Sequence, residues 1–293
     1  MSTSTYPIGI IGVGNMGGGM ARRLLGLGWP VWVNDLDADK MAALQRLGAQ
    51  AAPDKAQLAA QTELLIVCVV DAAQAREALF GPGGAVAALA PERCVMLCPT
   101  IAPEDVEELA ARLTERGLAV IDAPMSGGPA RATEGTMSLM VACDPALYAR
   151  RRALLDALSN KLFHVSARVG DGARTKLVNN LLAGINLVGA AEALALARAM
   201  GIDAATTLDV IEQSSGQSWI GSDRLRRALE DDYAPRAHMT LLAKDTALAV
   251  GAARAAGFAG PLGARAADTF ARALQAGLAD EDDAALYKLL QKG

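Results

Sequence analysis

The stretch Ile8-Gly-Ile-Ile-Gly12-Val-Gly14-Asn-Met-Gly17 decides the fold. A short apolar run ends in glycines spaced GxGxxG, and the residues that follow, Met16–Leu27, carry apolar side chains at helical spacing. A strand that enters a helix through such a turn opens a βαβ unit. Gly12 permits the tight turn, Gly14 lets the backbone approach a pyrophosphate, and Gly17 lets the helix pack closely on the strand. The N–H groups at the helix start, around Asn15 and Met16, point outward with the positive end of the helix dipole and attract phosphate. The next apolar run ends at Asp35, 18 residues beyond Gly17. A carboxylate there accepts hydrogen bonds from both ribose hydroxyls of an adenosine and repels a 2′-phosphate, and no Arg follows at once to compensate. These residues predict a dinucleotide site that takes NAD in preference to NADP.

Outward from this unit, residues 8–165 alternate between short apolar runs and amphipathic stretches. The expected strands are Ile8–Gly12, Val31–Asp35, Leu64–Val70, Cys94–Cys98, Leu118–Asp122, Ser138–Ala142 and Leu162–Val165, with helices such as Ala38–Leu47 and Glu104–Arg116 between them. Strand alternating with helix gives a mostly parallel sheet covered on both faces. From about Arg168 the strand signals stop. Ala173–Met200, Ala204–Gln213, Met239–Ala256 and Gly263–Ala276 read as helices, with a loop-rich interval around Ser214–Ser222. The expectation is an α/β protein: a Rossmann-type NAD-binding domain over residues 1–167, then an all-α substrate and dimerisation domain over residues 168–293, with a long interdomain helix.

The 293 residues carry 28 Lys and Arg against 32 Asp and Glu, a formal net charge of −4, with 52% apolar and 20% charged residues. Two domains suit that length. The near-neutral balance offers no basic footprint for a phosphate backbone, so nucleic acid is not expected as a partner. The stretch from Met1 to Pro7 has neither a basic n-region nor an apolar h-region, which leads to the expectation of a cytoplasmic protein without a secretory signal. Cys68, Cys94, Cys98 and Cys143 lie in apolar runs with no CxxC pair and read as small buried thiols; no ligand cluster suggests a metal. The apolar run Leu181–Met200 contains Asn186, Glu192 and Arg198. A charge at mid-bilayer costs about 3 kcal/mol, so the run reads as a helix buried in protein, and no membrane is expected.

Two further segments hold more glycine and polar residues than a core tolerates. Asp122-Ala-Pro-Met-Ser126-Gly127-Gly128-Pro129 follows a strand, on the side of a parallel sheet where ligands bind. Its hydroxyl and consecutive glycine N–H groups suit a carboxylate, although a plain loop has the same composition. Gly170-Asp-Gly172-Ala-Arg-Thr-Lys176-Leu-Val-Asn179-Asn180 begins the long helix, and Lys176 and Asn180, four apart, project from one face. An amine that exchanges a proton beside an amide that holds an oxygen can process a substrate hydroxyl; a solvated surface lysine has the same spacing.

Four motifs occur in order: the glycine-rich Gly9–Gly19, Asp122–Gly128, Gly170–Asn180, and Lys244-Asp245 before an apolar helix. Together they resemble the β-hydroxyacid dehydrogenases, the family of 3-hydroxyisobutyrate dehydrogenase, tartronate semialdehyde reductase and L-threonate dehydrogenase, related to 6-phosphogluconate dehydrogenase. The resemblance runs from about residue 8 to residue 290. It implies that Lys176 is catalytic and that Ser126, Gly127, Gly128 and Asn180 bind substrate. It also implies that Thr100, Lys244 and the loop with Val69 and Val70 contact the cofactor. Pro99 stands where the family usually has a serine. The implied reaction moves a hydride from the carbinol carbon of a small hydroxyacid to the nicotinamide while Lys176 accepts the hydroxyl proton. That role requires a neutral amine, a form that desolvation favours. No zinc is needed. Of the two histidines, His164 reads as structural in its strand, and His238, in a loop, as a candidate substrate contact.

Val70-Asp-Ala-Ala-Gln74, Leu79-Phe-Gly81, Ser215-Gly-Gln-Ser-Trp219, Asp232-Tyr-Ala-Pro235 and Asp280-Glu-Asp-Asp283 are similar to the L-threonate dehydrogenase branch, whereas Asn179-Asn180 follows the wider family. Trp219 is a candidate pocket wall over an aliphatic or polyol chain, its alternative being a core tryptophan. Arg224, Arg226 and Arg227 fit either a second anionic group on the substrate or a solvated face. The expected substrate is 3-hydroxyisobutyrate-like or L-threonate-like. A semialdehyde reductase acting on tartronate or succinate semialdehyde with NADPH would use the same residues, and a non-catalytic dinucleotide-binding protein is a third reading. A helix of roughly 28 residues spans about 40 Å. A second subunit, in a homodimer or homotetramer, is expected to cover it.

Overall fold

A computed structural model describes residues 5–291; the first four residues, part of the stretch read above for targeting, and residues 292–293 lie outside the described residues. The chain forms two compact units, Met1–Lys176 and Leu177–Gly293.

In the first unit, β1 (Ile8–Ile11), β2 (Val31–Asn34), β3 (Gln50–Ala51), β4 (Leu64–Val67), β5 (Cys94–Leu97) and β6 (Ala119–Asp122) run parallel in the order β3-β2-β1-β4-β5-β6. This is the doubly wound order, which reverses between β1 and β4. β1, β4 and β5 are buried along their whole length, so they carry unbroken apolar runs instead of alternating ones. Ile8, Ile10, Leu64 and Ile66 build one apolar cluster and Ile11, Leu65 and Val67 another. Because successive side chains on a strand point to opposite faces, the two clusters lie on the two sides of the sheet. The connecting helices are α1 (Asn15–Gly26), α2 (Ala38–Gln45), α3 (Lys55–Ala60), α4 (Ala72–Phe80) and α5 (Pro103–Thr114).

After β6 come β7 (Met125–Ser126), α6 (Gly128–Glu134), β8 (Ser138–Ala142), α7 (Pro145–Leu158) and β9 (Lys161–Ser166). β8 makes the sheet antiparallel: it meets β6 through Asp122 and Ala142, and β7 through Met125–Leu139 and Ser126–Ser138, with β9 parallel on its other side. Asp37, Asp54, Asp71 and Asp144 open α2, α3, α4 and α7 by accepting first-turn N–H groups. Each such cap is worth about 1 kcal/mol. The cap of α1 is Gly14, which brings no side chain to its first turn.

The long helix α8 (Asp171–Ala199) begins in the first unit and continues into the second, followed by α9 (Ala204–Glu212), α10 (Trp219–Leu229), α11 (Met239–Ala255), α12 (Pro261–Gln275) and α13 (Leu286–Leu290). By length and composition α8 could cross a membrane. Its Leu187 joins Met239, Phe270 and Leu286 in one core, and its Ala191 and Leu194 join Leu208, Leu225 and Tyr287 in another. Val178, Leu182 and Leu196 on α8, with Met200 just beyond, are exposed.

The structure departs from the sequence expectations in small ways. β3 and β7, two residues each, are too short to leave a pattern. The strand expected at Leu64–Val70 stops at Val67. α10 starts inside the interval read as loop, because Ser218 accepts the Gly221 N–H and caps it.

The glycine turn is tightly built. A Cβ on residue 17 would overlap the Gly12 carbonyl oxygen, whereas one on Gly14 would meet nothing within 4 Å. Gly17→Ala must therefore push α1 off β1 and is expected to lose about 1–3 kcal/mol of stability together with dinucleotide binding. Gly14→Ala should keep the melting temperature and lose dinucleotide affinity alone; thermal melts and NADH fluorescence titration of both variants check this.

Candidate active site

The Gly12 turn, Asp35, Val69, Val70 and Thr100 all follow the carboxyl ends of parallel strands, β1, β2, β4 and β5, the end at which open α/β sheets take ligands. Asp35 Oδ2 accepts the Val13 N–H at 2.6 Å and Oδ1 accepts the Asp37 N–H at 2.9 Å, so this carboxylate ties the end of β2 to the glycine turn. Val70 is exposed, and its N–H donates to Gln74 Oε1 at 3.1 Å. A left-handed Gly12 at φ +86°, open space beside Gly14 and a helix start with no side-chain cap leave a cradle of backbone N–H groups beside a carboxylate. That donor set fits a dinucleotide: N–H groups for the pyrophosphate, an acceptor for the ribose hydroxyls.

The second segment is shaped by backbone conformation. Ser126 ends β7, and Gly127 at φ +135° and Gly128 at φ +78° turn the chain into α6 through angles that side-chain-bearing residues rarely adopt. This accounts for the two consecutive glycines.

On α8, Lys176 and Asn180 are buried, at 7% and 8% exposure. Asn180 Nδ2 donates to Asp245 Oδ2 at 2.6 Å, and Lys244 Nζ donates to Asp245 Oδ1 at 2.8 Å. A carboxylate only accepts, so Asp245 dictates that the NH₂ end of the Asn180 amide faces it and that Oδ1 points away. Asn179 Nδ2 donates to that oxygen at 2.9 Å. Asp245 thus joins two residues that the sequence reading assigned separately, to substrate and to cofactor. The Lys244-Asp245 pair was the available signal, but only the lysine carried an expected role.

Trp219 is half-exposed at the first residue of α10, with the Arg224 guanidinium 5.9 Å from its ring centroid, so it is not a core residue. All three arginines are paired with carboxylates; Arg224 and Arg227 are enclosed, whereas Arg226 lies on a solvated face. Arg224 bonds Asp283 and Asp223, Arg226 bonds Asp209 and Glu212, and the buried Arg227 donates to Asp282 at 2.9 Å. Against the burial that opposes it, N–H groups of Ala237, Ala284 and Arg236 and the Arg227 side chain hold the Asp282 carboxyl down at about 2. Burial pushes its neighbour Asp283 up to about 7, against the pull of Arg224.

His164 lies in β9, its Nε2 2.9 Å from the Cys143 carbonyl oxygen and its ring stacked on Tyr148, a structural placement. His238 is exposed at the start of α11. The four cysteines are free, and burial pushes the Cys68 and Cys94 thiols up to about 12, which makes them poor nucleophiles. Among the described residues no group of three or more His, Cys, Asp or Glu side chains could hold a metal ion.

Residues 7–166 match the family model of the NAD binding domain of 6-phosphogluconate dehydrogenase. Residues 170–290 match that described as NAD-binding of NADP-dependent 3-hydroxyisobutyrate dehydrogenase. Fold and matches together define an NAD(P)-dependent dehydrogenase acting on the CH–OH group of a hydroxyacid. The chain belongs to the β-hydroxyacid dehydrogenase family. It is 36% identical to L-threonate dehydrogenase of Cupriavidus necator, over 96% of this chain and 95% of that one. It is 35% identical to 3-hydroxyisobutyrate dehydrogenase of Pseudomonas aeruginosa, over 92% of each. The crystal structure of 3-hydroxyisobutyrate dehydrogenase from Salmonella typhimurium matches with a TM-score of 0.91 and 36% identity, over 97% of this chain and 99% of that one.

A carboxyl whose folded-state pKa is raised binds its proton more tightly folded than unfolded; it adds stability at low pH that is lost as pH climbs through the raised value. Asp283, at about 7, is such a group. The melting temperature is expected to fall between pH 5 and pH 8, and the fall to shrink in Asp283→Asn, measured by calorimetry at matched ionic strength.

Proposed function

We propose that this protein oxidises a small hydroxyacid with NAD, an L-threonate-like polyhydroxy acid in preference to a 3-hydroxyisobutyrate-like one, with Lys176 as the general base. The observation that carries this reading is the pair of buried side chains on successive turns of α8, Lys176 and Asn180, the second held in one orientation by Asp245. Asn180 presents its carbonyl oxygen to a substrate hydroxyl, and Lys176 Nζ takes the proton of the reacting hydroxyl. In the reverse direction the resulting ammonium returns it. Ser126 Oγ–H and the N–H groups of Gly127 and Gly128 hold the carboxylate, and Trp219 is a further substrate-binding residue.

The Gly12, Gly14, Asn15, Met16 and Gly17 backbone would hold the pyrophosphate and Asp35 the adenosine ribose, with Val69, Val70, Thr100 and Lys244 completing the cofactor contacts. When bound, NAD supplies the acceptor for the hydride leaving the carbinol carbon. Asp35 supports NAD over NADP because its charge repels a 2′-phosphate. The similarity to L-threonate dehydrogenases favours the polyol acid. The exposed apolar residues of α8 support a homodimer or homotetramer in which a second copy covers them. The cytoplasm, where NAD is plentiful, is the proposed compartment.

Lys176→Ala is expected to lower kcat by about 10²- to 10⁴-fold while the Kd for NADH stays within about twofold; retention of more than about a tenth of wild-type kcat overturns the general-base role. Initial rates in both directions over C3–C5 hydroxyacids and semialdehydes should give the highest kcat/KM for the oxidation of L-threonate with NAD. A higher value for a semialdehyde with NADPH would show a reductase instead. Light scattering should return the mass of two or four chains.

A further inference from the structure

Asp122 is a buried carboxylate in the first unit with no assigned part in the chemistry. It stands at the end of β6 with 1% exposure, paired with Ala142 at the point where the sheet changes from parallel to antiparallel. Its Oδ2 accepts the N–H of Gly170 at 2.9 Å and of Ala173 at 3.1 Å, donors 48 and 51 residues further along the chain. These are groups at the beginning of α8, which starts at Asp171. The first N–H groups of any α-helix lack intrahelical acceptors, and the side chain of the preceding residue ordinarily takes them. The residue before α8 is Gly170, left-handed at φ +98° and without a side chain, so the acceptor arrives from another element of the fold.

Gly172 makes the close approach feasible: a Cβ there would lie 2.7 Å from the Met140 carbonyl oxygen and 2.8 Å from Asp122 Oδ2. Burial pushes the Asp122 carboxyl up to about 6, although the N–H groups of Ala173, Gly170 and Gly172 pull it down. The fold therefore keeps an acidic group where a neutral one would be easier to bury. Ser126 follows Asp122 by four residues, and Lys176 follows Gly172 by four on the same helix. One carboxylate sits at the foot of both segments.

We propose that Asp122 is the positioning residue of the reaction, setting Lys176 against the Ser126-Gly127-Gly128 segment by capping the start of α8 from the end of β6. The inference rests on the catalytic role of Lys176 proposed above. Its two Oδ2 bonds need an acceptor at one point, which an Asn amide oxygen can also supply and an Ala methyl cannot. A displacement of about 1 Å in a reacting group can lower the rate by about 10²-fold.

The test is a double-mutant cycle on the full-length protein. Asp122→Ala is expected to lower kcat by about 10²-fold with the Kd for NADH within about twofold, and Asp122→Asn to recover most of the loss. In a Lys176→Ala background, where no amine remains to be positioned, Asp122→Ala should leave the residual rate unchanged, because groups that act as a unit are not additive. Gly172→Ala, which drives α8 away from the same oxygen, is expected to reproduce the kcat loss and serves if Asp122→Ala does not fold. A kcat within threefold of wild type for Asp122→Ala, or for Gly172→Ala in its place, overturns the proposal. So does an equal loss in the wild-type and Lys176→Ala backgrounds, which marks a merely structural role. Full activity of Lys176→Ala alone would instead refute the catalytic assignment of that lysine, a separate result.

Discussion

The space left by missing methyl groups along α1 is the constraint on which the first unit depends. Gly17 lies against the Gly12 carbonyl oxygen, and a Cβ on Gly19 would stand 2.8 Å from the Ala132 methyl and 3.2 Å from the Pro129 carbonyl oxygen. Opposite sides of the helix thus touch the turn that feeds it and the helix α6 that follows Ser126. Bare backbone at these points brings the N–H groups of the turn to the carboxyl ends of the strands and holds the serine–glycine segment near the same helix. A side chain at either position would separate parts that the family chemistry uses together. Close packing of this kind leaves almost no slack, because protein interiors are already as dense as organic crystals.

Buried carboxylates do the equivalent work for polar groups. Asp122, Asp245 and Asp282 are each almost wholly enclosed, and each accepts from a distant stretch of chain: the start of α8, the Asn180 side chain, and the N–H groups of Arg236 and Ala237. An acid suits this task because two oxygens can accept several N–H groups at once. The environments differ in the company they keep. Arg227 stands beside Asp282, whose carboxyl is held low; Asp122 has backbone N–H groups alone, and burial raises it. At Asp282 the backbone N–H groups together with Arg227 outweigh burial, whereas at Asp283 the pull of Arg224 does not.

Local chemistry was legible in the sequence, and long-range pairing was not. The glycine turn, the parallel strands and the long helix each leave a signal within about twenty residues, since backbone conformation and apolar period are local properties. So do the Asp caps of α2, α3, α4 and α7, which stand immediately before their helices. The sequence leaves the roles of Arg224 and Arg227 open because their partners Asp283 and Asp282 lie 59 and 55 residues away, and a charged side chain carries no mark of a distant counter-ion. Asp122 was legible as part of a motif while its purpose was hidden, for its donors lie beyond β8, α7 and β9. The half-exposed Trp219 shows the converse: an aromatic side chain predicts burial only until its element is placed.

The segment from Asp282 to Tyr287 has a consequence for how the protein is made. Asp282, Ala284, Ala285, Leu286 and Tyr287 are fully or almost fully buried, and they complete both apolar cores of the second unit while Asp282 ties down the chain at Arg236 and Ala237. On the ribosome the sheet-bearing unit can assemble as its strands emerge, but the helical unit must wait with its cores open until this segment has left the exit tunnel. During that interval the apolar faces of α8, α11 and α12 are exposed, which makes the nascent helical half, and any translation product that stops short of residue 282, a natural substrate for chaperones and proteases.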